Sequence, residues 1–364
     1  MKEASSNEPN AVSAGKELKN IGDAAKRKMM KRTIQIIFLL FLLIGSVLII
    51  CKEHNKQYIS NTGFVFGTIY NITYQYDEDL QKEIENELQK VDNSLSTFNK
   101  SSVISRINNN QAYNTDEIFN EVFGLAQTIS KETNGAFDIT VAPLVNVWGF
   151  GFKHDKQPDK HVIDSLKQII GYEKVKLSGN RIVKTDNRIM LDCSAIAKGY
   201  GSDAVARLLR SKGIENFMVE IGGEIVVQGV NSHNSAWRIG VTRPVDDSLN
   251  VDNEMQTVVN VSDIAMATSG NYRNFYYKDG KKYAHTISPA TGYPVQHNIL
   301  SATVFAKNCA TADAYATAFM VLGLDKAKEI LNKHPEILAY FILSNDKGKN
   351  DVWYSPSLKS KISQ

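Results

Sequence analysis

Four short segments of this 364-residue chain combine residue types that could do chemistry. The first is Cys309–Leu324, CATADAYATAFMVLGL, in which Asp313 is the only charged residue. Burying an unpaired carboxylate costs several kcal/mol, so Asp313 needs a partner. Thr317 follows one helical turn later on the same face, and a carboxylate with a hydroxyl supplies the hard oxygen ligands that suit Mg²⁺. A helix cap or an internal salt bridge is the structural alternative for Asp313.

The second segment is Leu191–Gly201, LDCSAIAKGYG, where a predicted strand ends and a helix of small residues begins. Asp192 stands at this junction and could cap the helix or bind a ligand. The free amides of a helix start attract phosphate, and Lys198 would add a positive charge one turn further on. Taken alone, a capped helix with a surface lysine is the commoner explanation.

The third segment, 265–294, contains His285 at the end of the strand-like run KKYAHTI. A rigid turn with Pro289, Gly292 and Pro294 follows it. A histidine at a strand end beside such a turn is well placed to act as a general base. A lone histidine is more often structural, so this pattern by itself does not decide its role.

The fourth segment, Thr133–Gly151, has the sequence TNGAFDITVAPLVNVWGFG and follows neither a helical nor a strand period for long. Glycines let a backbone approach a ligand closely, and aromatic rings provide flat apolar walls. The segment is therefore predicted to surround a planar, partly polar ligand near Asp138. An aromatic-rich turn that closes a core is the alternative.

The elements that must position these residues are mixed along the chain. Helices are predicted at 77–95, 116–132, 163–170, 195–212, 310–322 and 324–333. Strands are predicted at 63–76, 174–177, 181–184, 188–191, 217–221, 225–228, 237–242, 255–261, 272–277, 301–306, 337–344 and 352–354. Because there is no regular βαβ alternation, we expect an α+β fold with mixed or antiparallel sheets, flanking helices and a ligand cleft between two lobes.

The N-terminal region predicts a membrane anchor. Residues 34–51 carry no charged side chain and would span about 27 Å as a helix, just enough to cross a bilayer. Basic residues precede this run, which predicts a cytoplasmic tail at 1–32, a signal anchor at 33–51, a tether at 52–62 and a catalytic domain at 63–356 that faces the outside of the cytoplasmic membrane. Lipidation at Cys51 and cleavage of a signal peptide are the alternatives.

Several classes of function lack support. Residues 1–32 carry eight Lys and Arg against four Asp and Glu, so the remaining chain has a net charge of about −1 out of a total of +3 and gives no electrostatic case for nucleic acid. With three cysteines and no CxxC pair, a zinc site is unsupported. Neither GxGxxG nor a P-loop occurs. Ile221-Gly222-Gly223-Glu224 joins two predicted strands and is expected to allow close backbone approach.

Eight ordered blocks then carry a specific signal: FVFGT (64–68), LSTFNKSS (95–102), NGAFDITVAPLVNVWGFG (134–151), LDCSAIAKGY (191–200), VEIGGEI (219–225), ATSGNYRNF (267–275), HTISPATGYP (285–294) and ADAYATA (312–318). Together they resemble the ApbE family of FAD:protein FMN transferases over residues 63–344. The resemblance implies a Mg²⁺-dependent enzyme that moves the FMN half of FAD onto a Ser or Thr hydroxyl of an exported acceptor protein and releases AMP. Acceptors in this family include subunits of the sodium-pumping NADH:quinone reductase and of the Rnf complex.

The resemblance also implies roles for individual residues. Asp313, Thr317 and the carbonyl of Ala195 would hold Mg²⁺, and His285 would take the proton of the acceptor hydroxyl. The positions implied in FAD contact are Phe66, Phe98, Ala136, Phe137, Asp138, Asp192, Lys198 and Ile287. Two departures stand out: Phe66 replaces a common methionine, and Ala316 replaces a second metal-site carboxylate found in some members, which implies weaker Mg²⁺ binding or more reliance on substrate oxygens.

Two further functions remain open from the sequence. Hydrolysis of FAD to FMN and AMP would use the same metal and base, with water as the acceptor. An outward-facing protein that stores FAD without chemistry is the alternative from another class, and it would need neither a base nor a metal.

Overall fold

The computed structural model describes residues 26–47, 57–150, 158–244, 255–271, 275–278, 281–345 and 350–363. The chain divides into two units, Met1–Gln57 and Tyr58–Gln364. In the first unit, helix α1 covers Lys26–Val47 and is long and apolar enough to cross a membrane. The predicted apolar helix is therefore confirmed with an earlier start, while residues 48–51 of the predicted span, including Cys51, lie outside the described residues.

The second unit contains the remaining helices and all the strands of the described chain. The helices are α2 (Gln81–Leu95), α3 (Val103–Asn108), α4 (Glu117–Glu132), α5 (Ala142–Val147), α6 (Lys160–Lys167), α7 (Ala197–Ser211), α8 (Cys309–Leu322) and α9 (Leu324–Lys333). The strands are β1 (Tyr58–Val65), β2 (Thr68–Gln75), β3 (Val175–Ser178), β4 (Arg181–Lys184), β5 (Phe217–Ile221), β6 (Glu224–Gln228), β7 (Trp237–Thr242), β8 (Met255–Val261), β9 (Ile264–Gly270), β10 (Phe275–Lys278), β11 (Lys281–Ala284), β12 (Ile299–Ala306), β13 (Leu338–Ser344), β14 (Asn350–Tyr354) and β15 (Ile362–Ser363).

The main sheet has eight strands in the order β1-β2-β5-β6-β9-β12-β13-β14, and each neighbouring pair is antiparallel. A second sheet has the order β15-β8-β7, and β3-β4 and β10-β11 form separate hairpins. The predicted α+β class with antiparallel sheets and flanking helices is confirmed.

Alternation along the strands gives the main sheet two buried faces. In β13, Ala339 and Phe341 belong to the larger core beneath the helices, while Tyr340 and Ile342 belong to a smaller core shared with the second sheet. Successive strand residues point to opposite faces, so one strand serves both cores. The result is a layer of helices, the main sheet, and a second sheet on its other face.

The observed strands differ from the expected ones in four places. The segment 63–76 is not one strand: β1 and β2 form a hairpin around Phe66 and Gly67, whose φ angles of 52° and 76° are the positive values that a two-residue hairpin turn requires. Residues 58–62, assigned to the tether, belong to β1. The segment 188–191 forms no strand, and β9 was missed because its small and polar residues, IAMATSG, lack a β-branched or aromatic pattern.

Helix α8 is buried on almost every side, which its alanine-rich sequence permits. Its first turn is capped twice. The side chain of Asn308 accepts from the Thr311 amide at 2.9 Å, and the buried carboxylate of Asp203 on α7 accepts from the Cys309 and Ala310 amides at 2.8 and 2.9 Å. Capping satisfies amides that have no partner within the helix, so α7 fixes where α8 begins.

Candidate functional site

A cavity of about 1260 Å³ opens in the unit Tyr58–Gln364. Its walls come from the β5–β6 turn, from β7 and β9, from α8, and from the segments around residues 98, 138, 192 and 285. The predicted site residues that line it are Phe98, Ala136, Phe137, Asp138, Asp192, Ala195, Lys198, His285, Ile287, Asp313 and Thr317. The fold therefore brings together residues that are up to 219 positions apart in the sequence.

Phe66 is the predicted site residue that does not line the cavity. It stands at the β1–β2 turn and packs against α7, where a Cβ added at Gly201 would lie 2.6 Å from its ring. The next residues along the hairpin, Thr68 and Ile69, do line the cavity. The turn thus borders the cavity, with the Phe66 ring directed at the helix.

Helix α8 presents Asp313 and Thr317 to the cavity from the same face. Asp313 is 3% exposed, and its Oδ2 accepts a hydrogen bond of 3.1 Å from the Gly199 amide in the first turn of α7. Burial raises the pKa of Asp313, and the nearby charge of Lys198 opposes that rise. The Thr317 hydroxyl forms a 3.1 Å hydrogen bond with the hydroxyl of Ser269 on β9. Two oxygen donors are therefore held one helical turn apart beside the cavity.

One charged group of the cavity that the sequence analysis missed is Glu224, at the start of β6. Its side chain is buried and forms an ion pair with Lys198. Burial alone would lower the pKa of Lys198, but the charges of Glu224 and Asp313 outweigh it and raise that pKa. The sequence offered one signal for it, a glutamate directly after Gly222-Gly223 between two apolar predicted strands. A glutamate is almost never fully buried unless it is paired, so its position among apolar strands indicates an ion pair.

The carboxylate of Asp138 has a largely structural role, because both of its oxygens accept hydrogen bonds from neighbouring residues. One carboxylate oxygen accepts from the Thr140 amide and hydroxyl at 2.8 and 2.7 Å, and the other accepts from the Tyr172 amide at 2.8 Å. Burial raises the pKa of Asp138, while these hydrogen bonds act in the opposite direction. The carboxylate thus fixes the shape of the wall that includes Ala136 and Phe137.

Asp192 and Ala195 lie on the turn that precedes α7. One oxygen of Asp192 accepts from the Ser194 amide at 2.8 Å and from its hydroxyl at 2.5 Å. Asn108 holds the preceding residue through two hydrogen bonds with the Leu191 backbone, of 2.7 and 2.9 Å. Asp192 therefore stabilises the turn rather than capping α7 itself, whose N-cap residue Ile196 makes no side-chain cap.

His285 is half-buried and follows strand β11 directly. Its imidazole lies edge-on to the ring of Phe150, with the centroids 6.4 Å apart. The next residue, Thr286, donates to the Asn271 side chain at 2.7 Å, and Ile287 pairs with Pro294 across the turn. These contacts hold the histidine at the cavity wall on a braced turn.

Apolar side chains surround part of the opening. Phe98 is 76% exposed, and Ile69 and Met255 are also exposed where they border the cavity. Exposed large apolar groups beside a cavity are typical of a surface that another molecule covers. Together with buried Phe137 and Ile287, they offer contacts to flat, apolar parts of a ligand.

The residues present fit a divalent cation that shares its coordination with a ligand. No group of three His, Cys, Asp or Glu side chains comes together within the described ranges. Mg²⁺ is commonly bound by one or two carboxylates plus substrate phosphates, so Asp313 with Thr317 meets the protein's part. With all three groups ionised, the charges of Lys198, Glu224 and Asp313 sum to −1, which would repel a diphosphate unless a cation joined them. Burial raises the pKa of both carboxylates, and a bound cation would favour their charged forms.

The fold and the cavity thus define an α+β protein with a large cavity whose walls combine apolar side chains with Lys198, Asp313 and Thr317. The ApbE family profile matches residues 66–342. A curated relative from Vibrio cholerae, named FAD:protein FMN transferase, is 36% identical over 329 residues, which cover 86% of this chain and 95% of the relative. A relative of the same name from Haemophilus influenzae is 37% identical over 315 residues, covering 82% and 90%.

Solved structures agree. The flavin transferase ApbE from Vibrio cholerae matches with a TM-score of 0.76 at 36% identity, covering 84% of this chain and 99% of that one. The apo flavinyl transferase ApbE from Pseudomonas stutzeri matches with a TM-score of 0.75 at 29% identity, covering 84% and 97%. The chain belongs to the ApbE family.

Proposed function

We propose that this protein is an FAD:protein FMN transferase that uses Mg²⁺. It takes FAD, joins the FMN half to a Ser or Thr hydroxyl of an acceptor protein, and releases AMP. The observation that carries this proposal is the single cavity lined by His285, Lys198, Asp313 and Thr317, in a chain whose curated relatives bear that name.

His285 is the proposed general base. Its imidazole takes the proton from the acceptor hydroxyl, whose oxygen attacks the FMN-side phosphorus of FAD. A new phosphorus–oxygen bond forms to the acceptor, and the bond to the bridging oxygen breaks. The electron pair of the broken bond leaves with AMP. The braced turn of Thr286 and Asn271 keeps the imidazole at the cavity wall for this step.

Asp313, Thr317 and the Ala195 carbonyl are the proposed holders of Mg²⁺. When bound, the cation neutralises charge on the diphosphate of FAD. Lys198 lines the same cavity and would contact those phosphates, while its charge is paired with Glu224. Ala316 contributes no second carboxylate, so the substrate oxygens are expected to complete the coordination.

FAD is proposed to contact Phe98, Ala136, Phe137, Asp138, Asp192, Lys198 and Ile287, with Phe66 acting from the neighbouring turn. Since both oxygens of Asp138 are engaged by Thr140 and Tyr172, its contact with FAD is expected to come from the backbone. Asp192 uses one oxygen for Ser194, which leaves the other for the ligand. The exposed Phe98 ring would be covered when FAD binds.

The proposed location of the catalytic unit is the outer side of the cytoplasmic membrane, with α1 from residue 33 onward as the anchor and residues 1–32 in the cytoplasm. Retention of the anchor, lipidation at Cys51 and signal cleavage would all leave the catalytic unit outside. Subunits of the NADH:quinone reductase or Rnf type are the proposed acceptors. Such acceptors would approach the cavity opening.

The test is a transfer assay with the full chain in detergent. Incubation with FAD, Mg²⁺ and an acceptor domain should give a fluorescent flavin band that survives denaturing electrophoresis. An acceptor with its target Ser or Thr replaced by Ala is the control and should give no fluorescent band. His285→Ala should abolish the band while FAD still binds, because the base is lost and the cavity is kept. Unchanged transfer by His285→Ala would remove the histidine from the mechanism.

The same assay separates the other functions. The cavity volume exceeds the roughly 300–1000 Å³ of typical small-molecule sites, so water can share it with FAD. AMP and free FMN without a covalent band would identify a hydrolase. Retained, intact FAD would identify a storage protein.

A further inference from the structure

The buried Glu224 forms an ion pair with the half-buried Lys198 that the proposed chemistry does not yet use. The side chain of Glu224 is 3% exposed, and one of its oxygens contacts the Lys198 ammonium. The other oxygen, Oε2, is buried and has no hydrogen-bond partner among the described residues. Lys198 is therefore the main partner that compensates the buried negative charge of Glu224. Removal of either residue would leave the charge of the other without this partner.

The backbone around the pair is also fixed. The Ser202 hydroxyl on α7 donates to the Glu224 carbonyl at 2.9 Å, which ties the β5–β6 turn to the helix that carries Lys198. The Gly199 amide, next to Lys198, donates to Asp313. The three charged groups thus belong to one rigid junction of α7, α8 and the β5–β6 turn.

The net charge of this junction determines how strongly Asp313 can attract a divalent cation. Lys198 interacts electrostatically with both Glu224 and Asp313. If Glu224 were neutral, the ammonium would have Asp313 as its remaining buried anion, and the pair Lys198–Asp313 would sum to zero. A neutral pair attracts a divalent cation far less than a site of charge −1.

We infer that Glu224 is a positioning residue of the cation site: its carboxylate holds and neutralises the Lys198 ammonium, so that Asp313 stays available to a divalent cation. This inference rests on the proposed function, because it concerns the cation assigned there to Asp313 and Thr317. It assigns a role to Glu224, the one buried glutamate among the described residues that line the cavity.

The inference predicts an order of affinities set by net charge. The junction carries −1 in the wild type, 0 in Glu224→Gln, −2 in Lys198→Met and −1 in the double variant. We expect Glu224→Gln to bind a divalent cation about tenfold more weakly or worse, since one unit of charge is lost at close range. Lys198→Met should bind at least as tightly as the wild type, and the double variant should return close to it.

The experiment titrates the full chain in detergent with Mn²⁺ alone and follows free Mn²⁺ by electron paramagnetic resonance. Glu83→Gln is the matched control, because Glu83 also pairs with a lysine, Lys212 just after α7, at 3.3 Å but away from the cavity. It should leave the affinity unchanged. Far-UV circular dichroism checks that each variant folds.

Each outcome has a definite meaning. Wild-type affinity in Glu224→Gln overturns the inference, and so does a double variant as weak as Glu224→Gln, because Glu224 would then act on the cation without Lys198. If Glu224→Gln fails to fold, weaker binding by Lys198→Met overturns it instead. Equal binding by the wild type and Asp313→Ala would instead refute the proposed cation site, which distinguishes the two failures.

Discussion

Gly199 sets the distance between the two helices of the site. A Cβ added at this position would lie 2.4 Å from the carbonyl oxygen of Cys309 and 2.9 Å from the Cα of Ala310. Both are backbone atoms, so no side-chain rotation relieves the clash, and the helices must move until the contact reaches at least 3.0 Å. Only glycine lets α7 approach α8 this closely.

The change in the free energy of unfolding caused by Gly199→Ala follows from two opposing effects. Overpacking a well-packed contact costs about 1–3 kcal/mol. Replacing glycine by alanine inside a helix returns roughly 1 kcal/mol. Because the clash involves backbone alone, we expect the upper part of the range and a net loss of about 1–2 kcal/mol in the free energy of unfolding.

The effect on transfer should be larger than the effect on stability. Asp313 accepts from the Gly199 amide, so separation of the helices displaces the proposed cation ligand from Lys198 and Ala195. A misplacement near 1 Å can cost on the order of 100-fold in rate. Covalent flavin incorporation measures the rate, and urea unfolding followed by tryptophan fluorescence measures stability, since Trp148, Trp237 and Trp353 all lie in Tyr58–Gln364.

The chain offers a matched control for this substitution. Gly124 lies exposed in the middle of α4, and a Cβ there would have nothing within 4 Å. Gly124→Ala should therefore stabilise by roughly 0.5–1 kcal/mol and leave transfer unchanged. If Gly199→Ala behaves like Gly124→Ala in both assays, the close approach of α7 and α8 has no role in the site.

Two further predictions concern buried carboxylates. Asp313→Ala should raise the Mg²⁺ concentration needed for half-maximal transfer or abolish transfer, and an unchanged Mg²⁺ dependence would exclude Asp313 as a ligand. Burial raises the pKa of Asp203 to about 6 from its ordinary 3.8, so its contribution to stability is present below pH 3.8 and is lost as the pH rises through about 6. Asp203→Asn cannot titrate, so urea unfolding should show the wild type losing stability relative to this variant between about pH 4 and pH 6.5; a constant difference across that interval would contradict the raised pKa.

Local patterns predicted the regular elements well. Helix α4 begins after Asp116, whose carboxylate accepts from the Phe119 amide at 2.7 Å. Its apolar spacing predicts an inward face of Ile118, Val122, Leu125 and Ile129, of which Val122 and Ile129 are buried and the other two are half-buried. Strands β5, β7 and β8 have the predicted bounds. Strand β9 escaped prediction because its partners β6 and β12, not its own residues, make it a strand.

The sequence by itself determined the apolar N-terminal helix, the α+β class, the family, and the residue types that could hold a cation or act as a base. These features follow from the sequence because hydrophobic periodicity is a local property and because the motifs keep a fixed order along the chain. The tertiary structure decided which of these residues share a cavity, that the Phe66 ring turns toward Gly201, and that Asp138 is saturated by its own neighbours. It alone revealed Glu224 against Lys198, since the burial and pairing of a charge depend on segments distant in sequence.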